Sequence, residues 1–271
     1  MLLSLALAAV SIDWQQAADD AMKARRGAAV VLDVGSGRIL AMHRPQVARH
    51  RSSPPGSAIK PFTLVALFNE GKLRPGDALV CGRQVEVSGR RMDCTHPVTV
   101  LPLDASAALA YSCNFFFASY GARLGNFHQT LGALGLSARR AGTDEQKSLQ
   151  AIGEWGLETT PLELAEAYLK LARRRTSREF DPGMQTVWAG LRDAAEYGTA
   201  RQAAPPGVRV AGKTGTVRNG AWFAGYAPEQ QPRIVVVVLL ESGTGGGDAA
   251  PAAAAIFTRL ASGLPGTPRG H

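Results

Sequence analysis

Apolar positions along this chain alternate between two periods, and each switch marks an element boundary. Ala28-Ala29-Val30-Val31-Leu32 and Ile39-Leu40-Ala41-Met42 are short apolar runs on either side of Gly35-Ser36-Gly37. Runs of that length joined by glycines predict two strands in a hairpin. From Ser57 the pattern turns helical, with Phe62-Thr63-Leu64-Val65-Ala66-Leu67-Phe68 after Pro61 and a C-cap at Gly71. Residues 44–56 before it read as a loop. Residues 80–98, interrupted by Gly82, Gly89 and Pro97, read as loops with a small hairpin. Further helices are predicted over 103–109, 115–124, 127–134, 160–172 and 188–197, the fourth announced by Thr160-Pro161. At Val208 the period becomes that of strands again. The segments 209–217, 221–226 and 234–240 predict three more strands, the first two joined at Asn219-Gly220 as a type I′ hairpin, and 248–260 predicts a closing helix.

Sequential antiparallel strands pair as neighbours, so the two strand groups, about 27–43 and 208–241, are expected to form one antiparallel sheet. The helical residues between them, about 57–200, form a lobe beside it. This is an α+β fold in a single domain over 19–262, with 263–271 as a disordered tail. Residues 1–18 resemble a leader: Met1 to Val10 is apolar and ends in small residues, although it lacks a basic start and is too short to span a bilayer. Export is the expectation, and an N-terminal amphipathic helix running into Ile12-Asp13-Trp14 is the alternative.

Length and charge change this picture little. A chain of 271 residues can bury a large core, and Lys+Arg 30 against Asp+Glu 22 gives a net charge of +8. The basic groups, such as Arg173-Arg174-Arg175, read as a solvated surface, since no zinc-finger spacing or RNA-binding aromatic signature accompanies them. Cys81 and Cys94 flank the small hairpin and are placed to pair in an oxidising compartment, leaving Cys113 unpaired. The cysteines show no metal spacing, so His96 beside Cys94 is expected to be neither a ligand nor a catalyst, and no metal or cofactor is expected.

Three short pieces carry chemistry. Ser57-Ala58-Ile59-Lys60 puts an amine three residues after a hydroxyl at a helix start, on the same face. A serine needs such a base to become a nucleophile, and the helix N-terminus supplies positive potential and free N–H groups. Ser112-Cys113-Asn114 lies between helices, and Lys213-Thr214-Gly215 lies on a strand. Each is common alone. Read singly, the second is a helix cap, the third a strand end, Phe115-Phe116-Phe117 core packing, and Trp222 packing beneath a site.

In this order and these settings the three pieces resemble the signature of penicillin-binding proteins and serine β-lactamases. Residues 27–42, Pro55 to Pro61, Ala151-Ile152-Gly153, Thr160 to Ala165, Gly198-Thr199-Ala200 and Trp222 to Tyr226 extend the likeness to transpeptidase domains over most of the chain. The resemblance implies that Ser57 attacks the carbonyl of a D-alanyl-D-alanine stem peptide and Lys60 is the general base. Ser112 would pass the proton to the leaving nitrogen. Lys213 would keep the Lys60 amine neutral and attract the substrate carboxylate, and Asn114 would bond the substrate amide and orient Lys60. Thr214 and Thr216 would bind the carboxylate. The N–H groups of Ser57 and Thr216 would form the oxyanion hole, and Gly215 would leave room for a peptide along the strand edge. The implied partners are peptidoglycan stem peptides, β-lactams as covalent inhibitors and cell-wall synthesis proteins, with no nucleic acid, in an extracytoplasmic location. One departure is Ile152-Gly153-Glu154-Trp155, where such domains commonly read Ile-Gly-Gln-Gly. Two rival readings are a class D-like β-lactamase, disfavoured by Asn114, and a penicillin-recognising sensor or scaffold that acylates without turnover.

Overall fold

The computed structural model describes residues 12–87, 89–98, 101–176 and 180–262. The proposed tail and the first eleven residues of the leader-like segment lie outside them.

The sheet has five strands: β1 (Gly27–Asp33), β2 (Ile39–His43), β3 (Ala211–Val217), β4 (Gly220–Ala227) and β5 (Ile234–Leu240), in the spatial order β2-β1-β5-β4-β3. All neighbours are antiparallel. The first and last strand groups thus meet along β1 and β5, as the chain order predicted. The β1–β2 turn closes on Asp33, whose Oδ1 accepts from Ser36 N at 2.7 Å and Ser36 Oγ at 2.6 Å. The β3–β4 turn sits one residue earlier than the Asn-Gly pattern suggested. Val217 pairs with Gly220, so Arg218-Asn219 make the turn and Gly220 opens the strand. There a Cβ would sit 3.3 Å from Leu240 O of β5.

Strands β1 and β5 are apolar without alternation because both faces of the sheet are covered. Ala28, Val30, Leu32, Val235, Val237 and Leu239 enter one core; Ala29, Val31, Val236 and Val238 enter the other. That is the period-2 signal divided between two cores. The first core lies under the helical lobe: α3 (Lys60–Asn69), α4 (Ala105–Ala110), α5 (Asn114–Gly121), α6 (Phe127–Leu134), α7 (Asp144–Ala151), α8 (Pro161–Arg175) and α9 (Pro182–Glu196). The second lies under α1 (Trp14–Met22) and α10 (Ala250–Ser262), which pack on each other. Helix α1 crosses the boundary expected at residue 19, and its Ala17, Ala18, Ala21 and Met22 are buried. A packed helix thus overlaps the segment read as a leader. Among the described residues no helix is long and apolar enough to cross a membrane.

Two further boundaries differ from expectation. Residues 44–56 include a short helix, α2 (Pro45–His50), whose six residues are too few to show a period. Helix α9 begins six residues before Trp188, at a start that is explicit in sequence: Asp181 caps Met184 N at 3.0 Å and Pro182 takes the first position. Helix α8 opens with a capping box between Thr160 and Glu163. Its basic end is consumed locally. Arg173 donates to Val34 O at 2.8 Å, Arg174 pairs with Asp181 at 3.2 Å and Arg175 with Glu229 at 3.4 Å. The Arg173-Arg174-Arg175 run is thus a clamp rather than an open cationic patch.

Helix α3 is buried from Lys60 to Leu67. A helix enclosed on all sides fixes whatever its N-terminus carries. Three glycines let backbone meet backbone there. Gly153, at φ +81, would place a Cβ 2.1 Å from Gly56 O, and Gly215 one 2.3 Å from Pro55 O. Gly153→Ala is expected to cost roughly 2–4 kcal/mol, from left-handed strain plus the clash. Gly132→Ala, on the exposed face of α6 with nothing within 4 Å, is expected to stabilise by about 0.5–1 kcal/mol. Denaturant midpoints of the two variants check the contrast.

Candidate active site

The run Pro54 to Lys60 is not one α-helix. Gly56–Ile59 is a 3₁₀ turn that passes into α3 at Lys60. In a 3₁₀ turn residues three apart eclipse, so Ser57 and Lys60 line up along one side of the turn. Gly56 makes the entry at φ +52, a conformation that suits glycine. The turn is held from below and from both sides. Ala58 O accepts from the buried Tyr168 hydroxyl at 2.8 Å, and Pro54 O accepts from Trp222 Nε1 at 2.9 Å. Trp222 is fully buried and holds the turn without lining the site.

Lys60 is also fully buried, and its amine lies 2.8 Å from Ser112 O, 3.1 Å from Ser112 Oγ and 2.7 Å from Asn114 Oδ1. Phe117 forms a wall 5.1 Å away. Burial pulls the Lys60 pKa down to about 7, against an opposing pull from Cys113, Cys94 and Glu154. Ser112 reaches the amine because its backbone is left-handed, at φ 57, between α4 and α5. Its hydroxyl can accept from an ammonium or donate to a neutral amine, so one contact serves both protonation states. Asn114 Nδ2 in turn donates to Met92 O at 3.2 Å, which fixes the amide with its oxygen toward Lys60.

Lys213 is the second fully buried lysine. Its amine donates to Thr214 O at 3.0 Å and Thr199 Oγ1 at 3.4 Å. Burial lowers its pKa well below the usual range, and the charge on Lys60 lowers it further. Burial is the largest cause of the lowering at both amines, and a charge on either one opposes a charge on the other.

Strand β3 is an edge strand, so the backbone beyond Lys213-Thr214-Gly215-Thr216 is free to pair with an extended chain. Thr214 Oγ1 donates to Thr199 Oγ1 at 2.9 Å, and Thr216 Oγ1 accepts from Gly245 N at 2.9 Å. Gly215 has a different reason to be glycine than the one expected. Its Cα faces the Pro55 carbonyl and Ala58 N, so the missing side chain makes room for the nucleophile turn rather than for a peptide. The same packing brings Thr216 N to 3.6 Å from the Cβ position of Gly56, the residue before Ser57.

All eight expected residues therefore converge on one junction. Two contributors were missed. Thr199 bridges Lys213 and Thr214, and it is positioned by Thr199 N donating to Ala110 O at 3.2 Å while Gly198 passes so close that a Cβ would lie 2.3 Å from that oxygen. Its signal was the Gly198-Thr199-Ala200 run. Tyr168 gave no signal beyond apolar periodicity. Glu154, the departure from Ile-Gly-Gln-Gly, pairs with Arg90 at 2.8 Å, while Gly153 keeps its conformation. The turn survives and the changed residue serves the 86–91 hairpin instead.

Known proteins share this fold. A family model of the penicillin-binding protein transpeptidase domain matches residues 27–261. Penicillin-binding protein PbpB of Mycolicibacterium smegmatis is 26% identical over 301 residues, covering 81% of this chain and 46% of that protein. The chain thus spans about half the length of the curated relative it matches. Among solved structures, Pseudomonas aeruginosa PBP2 in complex with WCK 5153 superposes with a TM-score of 0.79 at 20% identity, over 93% of this chain and 74% of that one. Penicillin-binding protein A from M. tuberculosis, as an imipenem acyl-enzyme complex, gives 0.76 at 22% identity, over 92% and 78%. With the family model spanning the sheet, the lobe and all three motifs, this chain belongs to the penicillin-binding protein transpeptidase domain family.

Proposed function

We propose that the chain is a serine D,D-transpeptidase that acts on peptidoglycan stem peptides outside the cytoplasm, cross-linking or trimming them through an acyl-enzyme. The observation that carries this reading is the Lys60 amine, fully buried one 3₁₀ turn after Ser57 and held by Ser112 and Asn114. Ser57 Oγ attacks the carbonyl carbon of the penultimate D-alanine and its proton passes to Lys60 Nζ. The N–H groups of Ser57 and Thr216 take the oxyanion. As the tetrahedral intermediate collapses the C–N bond breaks, and the proton travels from Lys60 through the Ser112 hydroxyl to the departing D-alanine nitrogen. An acceptor amine then attacks the ester to form the cross-link, or water attacks it to trim the peptide. Lys213, Thr214 and Thr199 form a cationic and hydroxyl-lined seat for the terminal carboxylate. β-Lactams would acylate Ser57 by the same route, and the imipenem acyl-enzyme of the M. tuberculosis relative is in keeping with that.

Fluorescent penicillin is expected to label the wild type and not Ser57→Ala; full labelling of the variant would remove Ser57 from the nucleophile's role. Lys60→Arg, which keeps a charge but cannot act as a base near neutrality, is expected to slow acylation by about 10²–10⁴-fold. The base works only as the free amine. The wild-type acylation rate should therefore rise with pH and reach half its plateau near the Lys60 pKa of about 7; a rate flat from pH 5 to 9 would contradict proton transfer to Lys60. The lifetime of the penicilloyl-enzyme separates the rivals, because hours mark a transpeptidase or sensor and seconds a β-lactamase. Release of D-alanine from a pentapeptide then distinguishes an enzyme from a sensor.

A further inference from the structure

Cys81, Cys94 and Cys113 are all free thiols, and they do not sort into a Cys81–Cys94 pair and a lone Cys113. They meet. Cys113 Sγ lies 3.4 Å from Cys81 Sγ and 3.7 Å from Cys94 Sγ. His96 joins them, and the four ligand atoms lie within 4.8 Å of one another. The sequence hid this because the sulfurs come from three different loops and the spacing matches no common zinc pattern.

We propose that these four side chains form a structural zinc site, with Zn²⁺ bound by the thiolates of Cys81, Cys94 and Cys113 and by His96 Nε2. Three features point to a metal rather than to a thiol cluster packed for its own sake. First, His96 Nε2 is buried with no hydrogen-bond partner. His96 Nδ1 sits 2.8 Å from Pro97 O, and a carbonyl can only accept, so the proton is on Nδ1 and the lone pair of the neutral ring is on Nε2. An orphaned buried ring nitrogen is costly unless something uses it. Second, each sulfur receives one backbone N–H: Cys81 from Arg83 at 3.3 Å, Cys94 from Phe115 at 3.3 Å and Cys113 from Phe116 at 3.4 Å. Such N–H groups can satisfy the remaining lone pairs of metal-bound sulfurs. Third, a tetrahedral zinc with Zn–S near 2.3 Å sets its sulfurs about 3.8 Å apart, close to the separations here, whereas a disulfide needs about 2.05 Å. Three thiolates and an imidazole in a closed tetrahedron suit Zn²⁺ over the hard cations. Binding exchanges three thiol protons for the ion and leaves the cluster with one negative charge.

The site has a purpose in the fold. Among the described residues of 81–96 the regular structure is one small hairpin, Glu86–Val87 with Arg90–Arg91, continued by Met92 N to Val85 O at 2.8 Å and Cys94 N to Arg83 O at 3.0 Å, and two strands alone are marginal in water. Cys113 stands between Ser112 and Asn114, the two residues that bond Lys60. The metal would therefore tie a weakly structured segment to the loop that presents the general base.

Metal analysis of the full chain, purified under reducing conditions, is expected to give about one zinc per chain. Co²⁺ added after chelation should give the intense visible bands of a tetrahedral, thiolate-bound ion. His96→Gln and Cys81→Ser should each weaken Co²⁺ binding by about 10-fold or more while circular dichroism shows the folded protein. Chelation of the wild type should lower its melting temperature, and zinc, added without further change, should restore it. A folded, reduced chain that takes up neither ion would overturn the proposal. So would an intact mass lighter by the two hydrogens of a disulfide, with fewer than three titratable thiols in protein isolated without reductant. Because metal content and cobalt spectra are read without any substrate, they stand or fall independently of the transpeptidase reading.

Discussion

Taking a lysine ammonium out of water costs several kcal/mol unless acceptors replace its hydration shell, and this molecule buries two within reach of each other's charge. Lys60 recovers part of that cost from three acceptors, all on the 112–114 loop. Lys213 has fewer, from Thr214 and Thr199. Two adjacent cations in a dry site repel, so the site favours holding one proton fewer than two free amines would. A base that is free near neutral pH follows from that arrangement. The remaining architecture keeps it dry and fixed: α3 enclosed on all sides, Phe117 as a wall, and the nucleophile turn pinned from α8 by Tyr168 and from β4 by Trp222.

The second requirement is close approach. The turn that carries Ser57 and Lys60 packs against β3 and the segment before α8, and side chains at the contacts would hold these apart. Gly56, Gly153 and Gly215 remove them at the three places where the turn, the segment before α8 and the edge strand touch. Gly215 therefore belongs to the packing of the 3₁₀ turn on the strand. Packing of backbone on backbone tolerates little adjustment, which makes this junction more rigid than the exposed helices around it.

Much of this was legible in the sequence for physical reasons. Short apolar runs bounded by glycine gave all five strands, and the split of β1 and β5 between two cores explains why those strands lacked alternation. Ser57, Lys60, Ser112, Asn114 and Lys213 to Thr216 could be grouped because the three short pieces, in this order, resemble the signature of penicillin-binding proteins, while chemistry alone explains the residue types and not their order. What sequence could not show was contact between distant segments. Helix α2 is too short for a period, α1 ran into an apolar stretch with leader-like composition, and Tyr168 looked like any buried aromatic. Thr199 was visible only as a neighbour of a glycine. The cysteines misled because spacing along the chain says little about ligands drawn from separate loops.

The loop of residues 81–96 shows how function can rest on a part of the fold with little regular structure. Arg83 donates from one guanidinium to His96 O at 2.8 Å and Cys94 O at 2.9 Å, Arg90 holds Glu154, and Met92 O receives the Asn114 amide. These links run from the loop to both flanks of the site: to Asn114 beside Lys60, and through Glu154 to the glycine that touches the nucleophile turn. Since Asn114 presents its oxygen to Lys60 only while its nitrogen is held by Met92, loosening the loop frees the amide to rotate. The amine then loses its shortest acceptor, and its burial becomes more costly in the charged form. The order of an irregular surface segment is in this way coupled to the protonation of Lys60.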